Sequence, residues 1–202
     1  MRGDPTPLLR RQDRPVAIFF LLVLAVALAG CLLRRSGEFL FYFAVLLVLA
    51  TAVLAVHRQV RLHAATLWCL SLWGLLHMAG GLVSLPGGRG VLYNLWLVPG
   101  RIKYDQVVHA FGFGVTTWVC WQALARMLGD PRPSIGRLAL CAAAGMGFGA
   151  LNEVVEFTAT LLVPETNVGG YANTGWDLVA NLTGCVVAAV LIFRRRRSAA
   201  AS

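Results

Sequence analysis

The amino-acid sequence predicts an all-α membrane protein with six transmembrane helices, from its composition, the length of its apolar stretches and their lack of strand-like alternation. Of the 202 residues, 58% are hydrophobic and 13% are charged, whereas a soluble domain carries about 25% charged residues. Six apolar stretches come close to or exceed the ~20 residues that a helix needs to cross the hydrocarbon core. We interpret them as helices because lipid offers the backbone no hydrogen-bond partner and no stretch alternates as a β-barrel strand does.

The six predicted helices form one domain over residues 16–193. Their predicted bounds are 16–33, 39–56, 64–85, 107–127, 138–163 and 178–193. Residues 1–15 precede this domain as a cytoplasmic segment, and residues 194–202 follow it as a basic cytoplasmic tail. The first, second and last helices are near the lower length limit of a span, and the fifth is long enough to tilt or kink.

The distribution of the 18 Lys and Arg residues predicts the orientation of the helices. If the helices alternate in direction, thirteen basic residues lie on the side of both termini and five on the other side, namely Arg34, Arg35, Arg89, Arg101 and Lys103. Because cytoplasmic loops carry the excess of basic residues, we expect both termini in the cytoplasm and the protein in a bacterial inner membrane. Arginines beside a membrane favour anionic headgroups, so the net charge of +9 predicts membrane lipids rather than nucleic acid as partners. The oligomeric state is left open.

Cys31 leaves an alternative open for the first span. Basic residues, an apolar run and the sequence LAGC ending at Cys31 resemble a lipoprotein signal with its lipidated cysteine. Arg34 and Arg35 follow closely, and five more spans make a lipid anchor redundant, so an uncleaved first helix is favoured. The five cysteines all lie in apolar spans without a C-x-x-C motif, which is typical of buried thiols rather than disulfides or a zinc knuckle.

Polar residues open the fourth and sixth spans in the same pattern. Each charge within a span costs about 2.5–3.5 kcal/mol at mid-bilayer, so such residues are functional candidates. Asp105 and His109 are four residues apart in the fourth span. Asp177 and Asn181 repeat this spacing in the sixth. Residues four apart share a helix face, and both spans enter the membrane from outside, so both pairs are expected near the outer surface.

The third and fifth spans add polar residues at a similar depth. Asn152, Glu153 and Glu156 share one face of the fifth span, and His77 lies in the third. At 1.5 Å per residue, His77 lies about 12 Å, and Glu156 about 10 Å, below the outer end of its span. Four separate spans therefore place polar groups in the outer half of the membrane, which predicts one shared site.

Several of these residues also have a purely structural interpretation. Asp105 and Asp177 are typical of N-terminal helix caps, His77 alone is typical of a hydrogen-bonded packing residue, and the two asparagines can join helices. Glu153 and Glu156 differ, because two ionised carboxylates one turn apart repel each other unless a proton or a cation lies between them. The two glutamates are therefore the residues hardest to explain by structure alone.

Glycines in the fifth span predict close helix packing. Gly145 and Gly149 form a G-x-x-x-G pair, which lets another helix approach, and Gly112 and Gly114 offer the same in the fourth span. A dinucleotide loop is not supported, because this glycine run lies inside a span and no strand precedes it. Close packing here is expected to bring together the helices that carry the histidine of the fourth span and the glutamates of the fifth.

Three segments of the chain carry a resemblance to known families. They are KYDQVVH from Lys103, GALNEVVEF from Gly149 and WDLVANLTG from Trp176, and the stretch HMAGG from His77 precedes them. In this order they resemble the YjdF-type bacterial inner-membrane proteins and, more distantly, the VanZ-like proteins, over residues 77–184. The resemblance implies a six-helix or similar membrane domain with a shared polar site, adds Tyr104 and Trp176 as ligand-binding candidates, and points to the cell envelope without assigning a reaction.

The sequence is consistent with more than one class of function. One is an enzyme at the outer leaflet that acts on a lipid or a lipid-linked envelope precursor, with His109 and Glu153 or Glu156 in acid–base roles. Asp105 and Asp177 complete the catalytic candidates. A divalent metal such as Zn or Mn is a possible cofactor, with candidate ligands His77, His109, Glu153 and Glu156.

The alternatives are a proton- or cation-coupled transporter and a non-catalytic membrane protein that binds a lipid or partner. For a binding role the candidate residues are His77, Asn152, Asn181, Tyr104 and Trp176. The absence of G-x-S-x-G and H-E-x-x-H motifs argues against a serine hydrolase elbow and a zincin helix.

Overall fold

The computed structural model describes residues 9–129 and 132–198, the last three as backbone only. Its helices are α1 (Arg14–Arg34), α2 (Gly37–Val60), α3 (Ala64–Leu82), α4 (Tyr104–Met127), α5 (Ile135–Leu162) and α6 (Tyr171–Ser198). All six are long and apolar enough to cross a membrane, which confirms the predicted all-α, six-span class. Residues 1–8 and 199–202 of the predicted cytoplasmic segments lie outside the described residues.

Several helices extend beyond their predicted ends because hydropathy detects only their apolar part. Helix α2 begins at Gly37, where the Ser36 hydroxyl accepts a hydrogen bond from the amide of Phe39. Helix α6 begins at Tyr171, seven residues before the predicted start, so its first two turns are polar. Helix α3 differs in the other direction, since it ends at Leu82 rather than at residue 85.

The helices alternate in direction, so their connections lie at two ends of the bundle. At one end, which we call the site end, are residues 35–36, 83–103 and 163–170. The second of these connections contains a short hairpin of β1 (Trp96–Val98) and β2 (Ile102–Lys103). At the opposite end, Arg10 forms an ion pair with buried Asp13 and donates to the carbonyl of Leu62, which fastens the start of the described chain to the α2–α3 turn.

Helices α4, α5 and α6 pack closely because glycines remove side chains from their contacts. A Cβ on Gly184 of α6 would collide with the backbone carbonyl of Ala110 in α4. Gly149 of α5 likewise lies directly against the amide of Asn181 in α6. The G-x-x-x-G face of α5 thus receives α6 as well as α4. The close approach of the α4 and α6 backbones at Ala110 and Gly184 sets the spacing of the polar residues that these two helices carry.

Cys31 lies within the apolar core. Its side chain is fully buried with Phe39, Tyr42 and Met78. This is the buried thiol expected of an uncleaved first helix, while the lipidated alternative, which would follow cleavage before Cys31, stays a prediction. All five cysteines are free thiols in the described chain.

Candidate functional site

The polar residues of α4, α5 and α6 meet inside the site end of the bundle, around the imidazole of His109. This histidine is 3% exposed. Because α4 and α6 begin at this end and α5 finishes there, the first turns of two helices face the last turns of the third. The close contacts at Gly184 and Gly149 bring these turns within reach of each other. The result is a buried cluster of one histidine, two asparagines and four carboxylates.

One nitrogen of His109 is hydrogen-bonded and the other faces carboxylates. Nδ1 lies 3.1 Å from Oδ1 of Asn181. An amide oxygen only accepts, so in a neutral ring Nδ1 carries the proton and donates it. Nε2 then presents its lone pair to Asp105 Oδ1 at 3.6 Å and to Glu156 Oε1 at 3.7 Å. A histidine whose second nitrogen is fixed by a hydrogen bond, with its free lone pair among carboxylates, is typical of a metal ligand.

Glu153 and Asp177 bring buried carboxylate oxygens that lack partners. Oε1 of Glu153 lies 3.6 Å from Nδ1 of His109, and neither oxygen of Glu153 has a hydrogen-bond partner among the described residues. Oδ2 of Asp177 accepts from the amide of Asn173 at 2.6 Å, whereas its Oδ1 has no partner within the described part of the chain. Burying such oxygens is costly unless a proton or a cation compensates them.

Within the described part of the chain, little positive charge balances this cluster. Lys103 reaches it from the rim, where its Nζ donates to Asn173 at 3.3 Å. The side chains that donate to the carboxylates are neutral amides: Nδ2 of Asn152 donates to Oε1 of Glu156 at 2.8 Å, and Asn173 donates to Asp177. If all four carboxylates are ionised, their negative charge exceeds that of the one lysine at the rim, and a divalent cation would offset the excess.

The potential ligand atoms lie at separations that suit such a cation. They form two groups that share His109, one with Asp105 and Asp177 and the other with Glu153 and Glu156, and within each group all ligand atoms lie within 4.8 Å of one another. Zinc–nitrogen and zinc–oxygen bonds are about 2.0–2.2 Å, so neighbouring ligands of a tetrahedral ion are about 3.4 Å apart. The distances from Nε2 of His109 to Asp105 and to Glu156, 3.6 and 3.7 Å, are close to this value.

His77 belongs to neither group of potential ligands. Its ring lies among Tyr42, Trp73 and Tyr93, with centroids 5.7–6.4 Å apart. The Tyr93 hydroxyl donates to the backbone carbonyl of His77 at 2.7 Å and lies 2.8 Å from its Nδ1. Burial, followed by the charge of nearby carboxylates, raises the pKa of this hydroxyl well above its ordinary value, so Tyr93 stays protonated. His77 therefore joins α3 to the loop that covers the site.

The remaining predicted residues lie at different distances from the cluster. Asn152 contacts it through Glu156. Tyr104 instead donates its hydroxyl to the carbonyl of Leu76 at 2.9 Å, which ties the start of α4 to α3. Trp176 is 62% exposed on the outer face of α6, so the structure does not bring it to the cluster.

Sequence reasoning missed three polar residues around the cluster. Asn173 donates a hydrogen bond to Asp177, four residues further along α6. It therefore lies on the same helix face as Asp177 and Asn181, one turn earlier. The sequence analysis missed Asn173 because its predicted sixth helix began at residue 178, after this residue. Glu38 accepts hydrogen bonds from the amide and the side chain of Asn167, and Tyr42, one turn further along α2, has a buried hydroxyl without a partner among the described residues. The available signal was their spacing of four residues, at the start of the second span and just before it.

The fold and this cluster define an integral membrane protein with a buried polar site at one end of a six-helix bundle. The chain belongs to the family described as Predicted membrane protein (DUF2238), whose family model matches residues 15–198. The resemblance to YjdF-type proteins is consistent with this family. The more distant resemblance to VanZ-like proteins stays a prediction.

One curated relative comes from Thermotoga maritima and carries the description "Uncharacterized protein". It is 29% identical over 96 residues, which cover 46% of this chain and 49% of the relative. The chain thus spans about half the length of the curated relative it matches. No solved structure matches the chain.

Proposed function

We propose that this protein is a membrane-embedded enzyme that holds one divalent cation at His109 and acts on a lipid or a lipid-linked molecule of the cell envelope. The observation that carries the proposal is the lone pair of His109 Nε2 directed at Asp105 and Glu156, beside the unpartnered oxygens of Glu153. A cation bound to Nε2 would turn the two unfavourable contacts of this lone pair, with Asp105 and Glu156, into attractive ones. Nitrogen and oxygen donors of this kind suit Zn or Mn.

The proposed reaction chemistry depends on the number of carboxylates, because the cluster holds more of them than one ion requires as ligands. A bound divalent cation polarises a phosphoryl or carbonyl oxygen and lowers the pKa of a bound water. A carboxylate that does not bind the ion can then act as the general base. Glu153 suits this second role, because it is the carboxylate closest to the protonated nitrogen of His109, at 3.6 Å from Nδ1.

The substrate class is inferred from where the site lies. The cluster is inside the bundle but only a few turns from the site end, at a depth that the polar part of a membrane lipid can reach. With the orientation that the arginines predict, this end faces the outside of a bacterial inner membrane and both termini are cytoplasmic. A lipid or lipid-linked envelope molecule in the outer leaflet fits this placement.

Metal content is the test of the cation. The protein, purified in detergent without chelator, is expected to retain about one Zn or Mn per chain by mass spectrometry. Glu156→Gln and His109→Ala are expected to lose it, whereas Glu165→Gln, which removes an exposed carboxylate outside the cluster, keeps it. Equal metal in the wild type and in well-folded Glu156→Gln would refute the site. A wild type that binds none would favour protons shared among the carboxylates, as in a transporter or a binding protein.

Turnover is tested separately. Metal-loaded wild type and Glu156→Gln are incubated with an envelope lipid extract, and the lipids are compared by mass spectrometry. The proposal expects a lipid species that changes only with the loaded wild type. A lipid that binds to the wild type without being altered would instead make the protein a non-catalytic binder.

A further inference from the structure

The hairpin of β1 and β2 at the site end carries apolar side chains that the bundle leaves uncovered. Trp96, Leu97 and Val98, which make up β1, and Ile102 of β2 are each 42–47% exposed. A two-stranded hairpin that packs against nothing is at best marginally stable in water. These side chains therefore need a partner beyond the helices of the bundle.

The base of the hairpin is tied to the starts of α4 and α6. The amide of Tyr104, the first residue of α4, donates to the carbonyl of Leu95 at 2.9 Å and so closes the base between the two strands. Nζ of Lys103, the last residue of β2, donates to Asn173 of α6 at 3.3 Å. The position of the hairpin along the bundle axis is therefore set by these two helices.

The helix lengths give the level of the bilayer surface at the site end. At the opposite end, helices α1, α4 and α6 each carry an arginine that belongs outside the hydrocarbon core, namely Arg14, Arg126 and Arg194. The core is about 30 Å thick, which corresponds to about 20 helical residues at 1.5 Å per residue. Counted from the three arginines, this length reaches Arg34 in α1, Gln106 in α4 and Thr174 in α6. These residues mark the predicted boundary of the hydrocarbon core.

Two side-chain contacts show that these separate counts agree with the position of the hairpin. Lys103, one turn before Gln106, contacts Asn173, the residue before Thr174, so the counts along α4 and α6 end at the same level. Arg34 donates from Nη1 to the hydroxyl of Ser84 at 2.6 Å. Ser84 belongs to residues 83–103, the connection that contains the hairpin. The hairpin therefore lies at the boundary between acyl chains and headgroups.

The side chains of the hairpin suit this boundary. Tryptophan is enriched at membrane interfaces, and long basic side chains there extend their charge towards the headgroups while their carbon chains stay in apolar surroundings. Nζ of Lys103 lies 5.4 Å from the centre of the Trp96 ring, and Arg101 is exposed in the turn between the strands. Val107, in the first turn of α4, is exposed as well. The apolar surface of the hairpin thus continues the lipid-facing surface of α4.

We propose that the β1–β2 hairpin inserts its apolar side chains into the headgroup–acyl boundary of the leaflet at the site end and so anchors the start of α4. The partner is the lipid bilayer and not a second copy of the chain, because the exposed residues lie at the bilayer surface and adjoin helix faces that lipid covers. The proposal is independent of the cation site and of which side of the membrane the site end faces.

Quenching of tryptophan fluorescence by brominated phosphatidylcholine tests the insertion and its depth. The full chain is placed in nanodiscs whose lipids carry bromine either near the headgroup or near the end of the acyl chain. The difference between the wild type and Trp96→Phe isolates the emission of Trp96, which is expected to be lost mainly with bromine near the headgroup. The matched control is Trp73→Phe, because Trp73 lies about 15 Å deeper along α3 and should show no such preference. Emission from Trp96 that neither lipid quenches, or that follows the pattern of Trp73, would overturn the proposal.

Thiol reactivity gives a second measurement that leaves Trp96 in place. In the same nanodiscs, Leu97→Cys is expected to react with a water-soluble maleimide more slowly than Glu165→Cys, since the reactive thiolate forms poorly in apolar surroundings. Glu165 is an exposed residue of the α5–α6 connection at the same end, and the reaction of the five native cysteines is subtracted with the wild type. Equal rates for the two variants would refute insertion. A disulfide-linked pair of Leu97→Cys chains would refute it too, because the hairpin would then face a second copy.

Discussion

Asn181 offers the sharpest test of how the site is built, because it touches the proposed cation only through His109. Its Oδ1 accepts the Nδ1 proton of His109 at 3.1 Å and so leaves Nε2 free to bind. Asn181→Ala removes the acceptor but none of the ligands. Asn181→Asp keeps an acceptor in nearly the same place. The two variants therefore separate control of the imidazole from any other effect of the side chain.

The expected loss for Asn181→Ala follows from the neighbours of Nδ1. Removing the hydrogen-bond partner of a metal-bound histidine weakens metal binding by about 10–100-fold. Glu153 lies 3.6 Å from the same nitrogen and can take over part of the acceptor role. We therefore expect a loss near the lower limit, about tenfold, which is about 1.4 kcal/mol. Asn181→Asp should bind at least as tightly as the wild type, because a carboxylate acceptor raises the basicity of the ring.

The assay is a Zn or Mn titration of the purified protein against a chelator of known affinity, with helix content measured for each variant. The predicted tautomer of His109 would be supported if Asn181→Asp binds the metal at least as tightly as the wild type and Asn181→Ala binds it about tenfold more weakly. Unchanged affinity in folded Asn181→Ala would refute it. So would an equal loss in both variants, since only the alanine lacks an acceptor.

Three further predictions concern packing, the covering loop and orientation. Gly149→Ala is expected to displace Asn181 and lower metal affinity, whereas Gly147→Ala, which meets no neighbour within 4 Å, should leave it unchanged in the same titration. Tyr93→Phe leaves buried groups without a partner and should lower the stability to thermal unfolding by about 1–3 kcal/mol, while Tyr171→Phe, at a side chain 96% exposed, should not. A reporter that is active only in the cytoplasm is expected to be active when fused to the C-terminus. Activity of a fused reporter that works only after export would contradict the predicted orientation.

The fold class was predictable because it depends on properties that a sequence carries locally. A stretch that must satisfy its own backbone hydrogen bonds in lipid becomes a helix whatever it packs against. Hydropathy marks where the chain is apolar, however, and not where the helix ends. The polar first turns of α6, from Tyr171 onwards, continue the helix outside the apolar stretch and so escaped prediction.

The site was partly predictable for a similar reason. The alternation of spans already placed Asp105, His109, Glu156 and Asp177 at one depth, and spacing placed them on helix faces. Which faces meet depends on packing between helices, and the sequence does not encode this locally. His77 shows the limit of this prediction. Its side chain packs among three aromatic residues, Tyr42, Trp73 and Tyr93, and not among the carboxylates.

Because α6 leaves the ribosome after α4, the contact between these two helices also bears on the order of biogenesis. Asp105 and His109 enter the bilayer before Asn181 exists, so α4 waits with an unsatisfied polar face until Gly184 docks against Ala110. A nascent chain that has not yet added α6 therefore lacks the partner of His109 Nδ1, and polar groups without partners are costly in the membrane. If the proposed cation binds, Asn181 of α6 can orient His109 for it only after this docking, so metal content would also report the fraction of chains that have completed assembly.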